Sequence, residues 1–412
     1  MLHVSASLTG LLLIVLIACL APVLVYLSRL TTLPSVVLEI AGGIIVGPQV
    51  LHWVAPDSLL QFFSQFGLAY LLFLAGMEIE LEIMRGQKIK SAGACYLLSL
   101  VLALLVGMSL QALGQKVSPL LIAIILASTS LGVVVPILKD LQISSTGFGR
   151  LLIAGATVAE FGPIVLLSLF FSSASPRPAA QAILLVCFVA LVLLFTLVVF
   201  RVRRVGWLHE MLVRLQDTSA QLTVRLAIVL MVAFVVLANL FGSETILGSF
   251  LAGAALRYVG GDPVTRELPP AASAKLNALG FGFVIPLFYV ITGVNFDLQA
   301  LTNISIIVLM LVFFVALLFV RGAPAIVYRR QIDTRHVVAA GFLQATSLPF
   351  IVAATQVGVQ LKLISTAISA ALVAAGLLSV IIYPTIALTI LRRASHVEGE
   401  VHLAPLTTDE SM

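Results

Sequence analysis

Apolar runs of about twenty residues, separated by short polar interruptions, recur from one end of the chain to the other. The runs are continuous rather than alternating, so the pattern predicts helices and not β-strands. A helix needs ~20 apolar residues to cross the hydrocarbon of a bilayer, and a backbone in lipid must satisfy its own hydrogen bonds, which a helix does. Segmentation gives thirteen spans: 7–28, 33–51, 58–79, 91–113, 118–139, 149–172, 179–200, 222–242, 245–257, 276–294, 303–328, 336–358 and 364–391, the ninth being short. The predicted fold class is therefore an all-α membrane protein of about 13 transmembrane helices.

Charge tests that count, because an error of one span scrambles the asymmetry between the two sides. Nineteen of the 23 Lys and Arg residues fall on one side. Three, Lys116, Arg177 and Lys362, fall on the other, and Arg321 lies inside a span. The positive-inside rule then places the N-terminus outside and the C-terminus in the cytoplasm of a cell (inner) membrane. Composition agrees: 61% of the 412 residues are hydrophobic and 10% charged, against ~25% charged in soluble domains. The mean hydropathy is +1.17. The net charge of +5 resides in loops between spans, so it reads as an orientation signal and not as a nucleic-acid surface. Cys19, Cys95 and Cys187 sit in apolar runs without a CxxC, and the six histidines lack ligand spacing. No cofactor or metal centre is expected beyond a monovalent cation, and no nucleophile–base set suggests an enzyme. The first run lacks a basic leader and cleavage site, so it reads as a retained helix.

The basic loop from Arg201 to Arg225 divides the chain into two six-span halves with one linker span between them, so the halves enter the membrane from opposite sides. The expected organisation is a first inverted repeat plus linker helix over 1–200, a cytoplasmic loop over 201–221, a second repeat over 222–393 and an unfolded tail over 394–412. Thr-Ser-Leu occurs in the fifth span of each half, at 129–131 and 346–348, and each is followed by a proline, Pro136 or Pro349. Helix breakers at matching positions of two halves point to a transport site. Proline removes a backbone donor, and small hydroxyl residues re-satisfy freed carbonyls. Gln344 opens the second of these segments.

Charges inside spans are costly, ~2.5–3.5 kcal/mol on insertion scales, and functional by default. Glu160 lies mid-way along span six and Arg321 in span eleven. Snorkelling to the interface is the plain alternative for Arg321, and an ion pair with Arg321 is the plain alternative for Glu160. Glu39, beside Gly42 and Gly43, reads as an acid satisfied within a close-packed patch. Burial disfavours the charged form of a carboxylate, so protons and cations would compete for Glu160. Thr129, Ser130, Thr346, Ser347 and broken-helix carbonyls would replace part of a cation's hydration shell.

The ordered motifs resemble the monovalent cation:proton antiporter-2 family. They are Leu33-Pro-Ser-Val-Val-Leu-Glu-Ile-Ala-Gly-Gly-Ile-Ile-Val-Gly-Pro48, Leu72-Phe-Leu-Ala-Gly-Met-Glu-Ile-Glu80, Val133-Val-Val-Pro-Ile-Leu-Lys-Asp140 and Pro286-Leu-Phe-Tyr-Val-Ile-Thr-Gly-Val294. The resemblance covers essentially every span. It implies a thirteen-helix homodimer with a mobile core containing two crossed discontinuous helices and a second, dimerising domain. It also implies exchange of Na⁺ or K⁺ for H⁺ by alternating access, with Glu160 in the place of the ion-binding acid and Arg321 in that of the basic, charge-compensating residue. Where many electrogenic relatives carry a second acid, this chain has Ala159, which predicts electroneutral exchange. Glutathione- or nucleotide-gated relatives carry a soluble domain after the last helix, and none is expected in the short tail. The competing expectations are a symporter or anion carrier with Arg321 as the anion site, and a non-transporting membrane sensor.

Overall fold

A computed structural model describes residues 2–27, 34–78, 87–171, 221–241, 244–260 and 268–401, with scattered positions from 183 to 201. The described residues are helical apart from short connections. In chain order the helices are α1 (Leu2–Leu27), α2 (Ser35–Val46), α3 (Ser58–Met77), α4 (Gln87–Ala112), α5 (Pro119–Leu126), α6 (Leu131–Asp140) and α7 (Gly147–Phe170). There follow α8 (Leu222–Leu240), α9 (Thr245–Gly260), α10 (Pro270–Leu279), α11 (Ile285–Val294), α12 (Ile304–Gly322), α13 (Thr334–Gln344), α14 (Pro349–Gln360) and α15 (Thr366–Val401).

Among the described residues nine spans are long and apolar enough to cross a membrane, or ten when the bent pair α13 and α14 counts as one. Helices α2 and α9 are apolar but shorter. Half of the seventh predicted span, 179–200, lies outside the described residues; 183, 186–194 and 196 are described and helical. Many large apolar side chains are exposed along α1, α4, α8 and α12, as lipid-facing surfaces require. The chain is a multi-pass membrane protein. Helix α15 runs to Val401, and the rest of the tail, 402–412, lies outside the described residues.

The chain forms two compact units, each drawn from both sequence halves. One unit comprises Met1–Glu82, Glu160–Ile307 and Val352–Ala371. In it, pairs of glycines bring backbones together. A Cβ on Gly76 of α3 would lie 2.0 Å from the Phe250 carbonyl oxygen, and one on Gly253 of α9 would lie 1.9 Å from that of Phe73. Gly43 of α2 and Gly293 of α11 make the same reciprocal approach to Val290 and Ile40. Lipid tails are as apolar as the helices, so close van der Waals packing rather than water exclusion holds these pairs. Ile14, Val46, Leu60, Leu287 and Val290 form an apolar cluster beside them. The Asp57 carboxylate caps α3 by accepting from the Leu60 N–H at 2.8 Å.

The other unit comprises Ile83–Ala159, Val308–Ile351 and Leu372–Met412. Its apolar cluster joins Leu131, Val134 and Leu138 of α6 to Leu151 and Leu152 of α7, and to Ala339, Ala340 and Leu343 of α13. After α12 a tight 3₁₀ segment, Ala323–Arg330, leads to α13, whose first turn is capped by Asp333 accepting from the Arg335 N–H at 3.0 Å.

Candidate ion site

Two helices break in mid-course. One stops at Leu126 and resumes at Leu131; the other stops at Gln344 and resumes at Pro349, with a bend of 40°. The intervening residues, Ala127 to Ser130 and Ala345 to Leu348, are wholly buried. Backbone groups released there need partners in a place without water. The breaks supply them to each other. Ser130 N–H donates to the Thr346 carbonyl at 2.9 Å. The Ser128 and Ser347 hydroxyls lie 2.7 Å apart, and Thr129 Oγ1 donates to the Gln344 carbonyl at 2.5 Å. Ser379 of α15 accepts from the Ser347 N–H at 3.3 Å and donates to the Gly376 carbonyl at 2.7 Å.

The predicted Thr129, Ser130, Gln344, Thr346 and Ser347 therefore come together, whereas the two prolines differ. Pro349 opens α14, but Pro136 lies within α6, exposed, beyond the point where the helix has resumed. The first break is made by Ala127-Ser-Thr-Ser130 itself.

Arg321 is 0% exposed, which excludes snorkelling. Its Nε donates to Thr129 Oγ1 at 2.8 Å, its Nη1 to Ser99 Oγ at 2.9 Å and its Nη2 to Gln344 Oε1 at 3.5 Å. Gln344 in turn donates from Nε2 to the Tyr328 hydroxyl at 3.0 Å. Cys95 Sγ lies 3.7 Å from Gln344 Oε1, and Ser99 Oγ donates to the Cys95 carbonyl at 2.9 Å. Arg321 thus fastens the first break, α4 and the end of α13 together. A fixed positive charge inside a span requires such partners. Gly155 of α7 faces the same group: a Cβ there would stand 2.4 Å from Gln344 Nε2 and 2.5 Å from the Tyr328 oxygen.

Helix α7 also carries Glu160. The Thr129 N–H donates to the carbonyl of Ala159 at 3.2 Å, so the broken strand grips α7 at the residue that precedes Glu160. In the first unit Glu39 and Glu160 are both buried, 4% and 9% exposed. Tyr289 of α11 lies within electrostatic reach of both, and Ser35 bonds the Glu39 carboxylate.

The sodium/hydrogen exchanger transmembrane family model matches residues 15–393. The chain belongs to that sodium/hydrogen exchanger family. Its relatives include YjbQ of Bacillus subtilis, 30% identical over 396 residues, an alignment covering 92% of this chain and 62% of YjbQ. The Na⁺/H⁺ antiporter of Enterococcus hirae is 26% identical over 88% of this chain and 92% of its own length. The fold is similar to that of the sodium proton antiporter MjNhaP1 from Methanocaldococcus jannaschii, with a TM-score of 0.64 at 16% identity over 95% of this chain and 97% of that one. The chain spans less than two thirds of the length of YjbQ.

In this exchanger-family chain, sequence reasoning missed Ser99, Cys95 and Tyr328 around Arg321, and Tyr289 near Glu160. Cys95 and Ser99 had a faint signal, being small and polar one helical turn apart in an apolar run. Tyr328 and Tyr289 had none, since an aromatic in a span is ordinarily packing.

Proposed function

We propose that the protein exchanges a monovalent cation, Na⁺ or K⁺, for H⁺ by alternating access, with Glu160 as the carboxylate for which the two compete. The observation that carries this reading is the pair of buried helix breaks fastened by Arg321 and bonded to α7 immediately before Glu160. Family membership supports it, and a Bacillus cereus relative is named a Na⁺/H⁺–K⁺ antiporter. Thr129 and Ser130 bring hydroxyl and carbonyl oxygens to the first break, and Thr346 and Ser347 to the second. Arg321 compensates the negative ends of the broken helices, a charge role that leaves Glu160 as the titrating group. With Ala159 beside it, one carboxylate per turnover gives one-for-one, electroneutral exchange. Engagement of Nε, Nη1 and Nη2 by protein oxygens weighs against Arg321 as an anion site.

The proposed architecture is thirteen spans in two inverted repeats joined by a linker helix, the short α2 and α9 and the seventh segment completing the set. The N-terminus faces outward, the C-terminus lies in the cytoplasm of an inner membrane, and the working form is a homodimer. Cation-induced proton movement in everted vesicles tests the functional reading. The wild type should respond to Na⁺ or K⁺ and Glu160→Gln should not; a cation-dependent signal that survives the substitution would remove Glu160 from the mechanism.

A further inference from the structure

The second unit contains an open-sided groove of about 360 Å³ that the exchange chemistry does not use. It runs between the end of α12, the 3₁₀ segment after it and the outer face of α13. Its walls are Leu318, Ile326, Val337, Val338 and Phe342, and its floor is formed where Gly322 and Gly341 meet. A Cβ on Gly341 would stand 3.1 Å from the Gly322 carbonyl oxygen. Bare backbone contact there leaves a trough between two helices that larger residues would fill. Ile326 and Val338 are 60% and 44% exposed at its edge.

The groove is apolar along its length and basic at one end. Arg329 lines that end, with Arg330 and Arg335 exposed on the same connection. Among the described residues, none of these three guanidinium groups has an ion-pair or hydrogen-bond partner. The neighbouring acid, Asp333, is occupied with the N-terminus of α13 and with His336. An apolar trough in a membrane span with an unengaged arginine at its polar end has the amphipathic form of a lipid. Basic pockets between helix ends bind anionic headgroups, and Arg matches phosphate oxygens in bidentate geometry.

We propose that this groove is a binding site for an anionic phospholipid, with an acyl chain against Leu318, Ile326, Val338 and Phe342 and the headgroup phosphate on Arg329. Its position gives occupancy a consequence. Gly322 adjoins Arg321, and Gly341 lies three residues before Gln344, so the lipid rests on the two helices that hold the joined breaks.

The test measures binding and so stands apart from the exchange reading. The purified protein is equilibrated in mixed micelles with phosphatidylglycerol or phosphatidylcholine of identical acyl chains, and retained lipid is counted by native mass spectrometry. The wild type should retain phosphatidylglycerol in about tenfold preference, roughly the 1.4 kcal/mol of one tenfold step. Arg329→Gln should abolish the preference and Arg329→Lys keep part of it. Val338→Trp, which fills the trough, should reduce retention of either lipid. Equal retention of both lipids by the wild type, or an undiminished preference in Arg329→Gln, would overturn the proposal. So would competition by inorganic phosphate with no effect of Val338→Trp, since that describes a free anion site. Thermal unfolding of each variant in the same micelles separates lost binding from lost fold, and Arg329→Lys keeps the charge if Arg329→Gln does not fold.

Discussion

Thr129→Val keeps the shape of the first break and removes one oxygen. That oxygen accepts from Arg321 Nε at 2.8 Å and donates to the Gln344 carbonyl at 2.5 Å. Its loss leaves a buried cationic donor and a buried carbonyl without those partners. An unsatisfied buried group costs ~1–3 kcal/mol, more when charged. Partial relaxation brings the two together to about 2–4 kcal/mol, and at 1.4 kcal/mol per decade the joint should open roughly 30- to 700-fold more often. Cys95 provides the reporter. It is 1% exposed and 3.7 Å from Gln344, so a thiol reagent reaches it only when the joint opens. With the exposed Cys19 and Cys187 replaced by serine, the labelling rate of Cys95 in detergent reads that opening directly. Thr129→Ser retains the oxygen and should label at nearly the wild-type rate. If Thr129→Val labels no faster than Thr129→Ser, the Arg321–Thr129–Gln344 connection does not hold the breaks together.

Other perturbations probe separate links. Gly253→Ala places a Cβ 1.9 Å from a backbone oxygen of α3; overpacking of this kind costs ~1–3 kcal/mol or more. Its thermal midpoint should fall, while that of Gly93→Ala, with nothing within 4 Å of the added carbon, should hold or rise. Asp333 is held below the usual carboxylate range: desolvation opposes this, but bonds from His336 and from the Arg335 and His336 N–H groups outweigh it. A depressed folded-state value means its contribution is present above the unfolded value of ~3.9 and lost as pH falls through the lower folded one. Unfolding midpoints of wild type and Asp333→Asn should therefore differ at pH ~5 and converge below pH ~4.

The helices, the interrupted segments and the buried acid were legible because each departs from a strong rule of the bilayer. A span without charge is unremarkable; Glu160 and Arg321 are not, since each must be held by something. The two Thr-Ser-Leu runs were legible for the same reason, as hydroxyls placed where backbone groups come loose. The register of the first break was not. Pro136 looked like the breaker, yet a proline within a helix removes one bond and can be tolerated. Four small residues that find partners on another segment are a tertiary matter. Ser99 and Tyr328 were hidden because their roles exist only once α4 and the 3₁₀ turn meet Arg321. The interleaved units were hidden likewise, since contacts and not sequence order define them. Helices α2 and α9 are shorter than a full span; hydropathy draws the first too wide, 33–51 against Ser35–Val46, and the second three residues too narrow, 245–257 against Thr245–Gly260.

The claim that one buried carboxylate handles both ions is tested most directly in liposomes containing only the purified chain. With an outward proton gradient imposed, uptake of radioactive Na⁺ is followed at several clamped membrane potentials, for wild type and Glu160→Gln. Wild-type uptake should follow the pH gradient and ignore the potential, and Glu160→Gln should show none above empty liposomes. Gradient-driven uptake that persists in Glu160→Gln would contradict it.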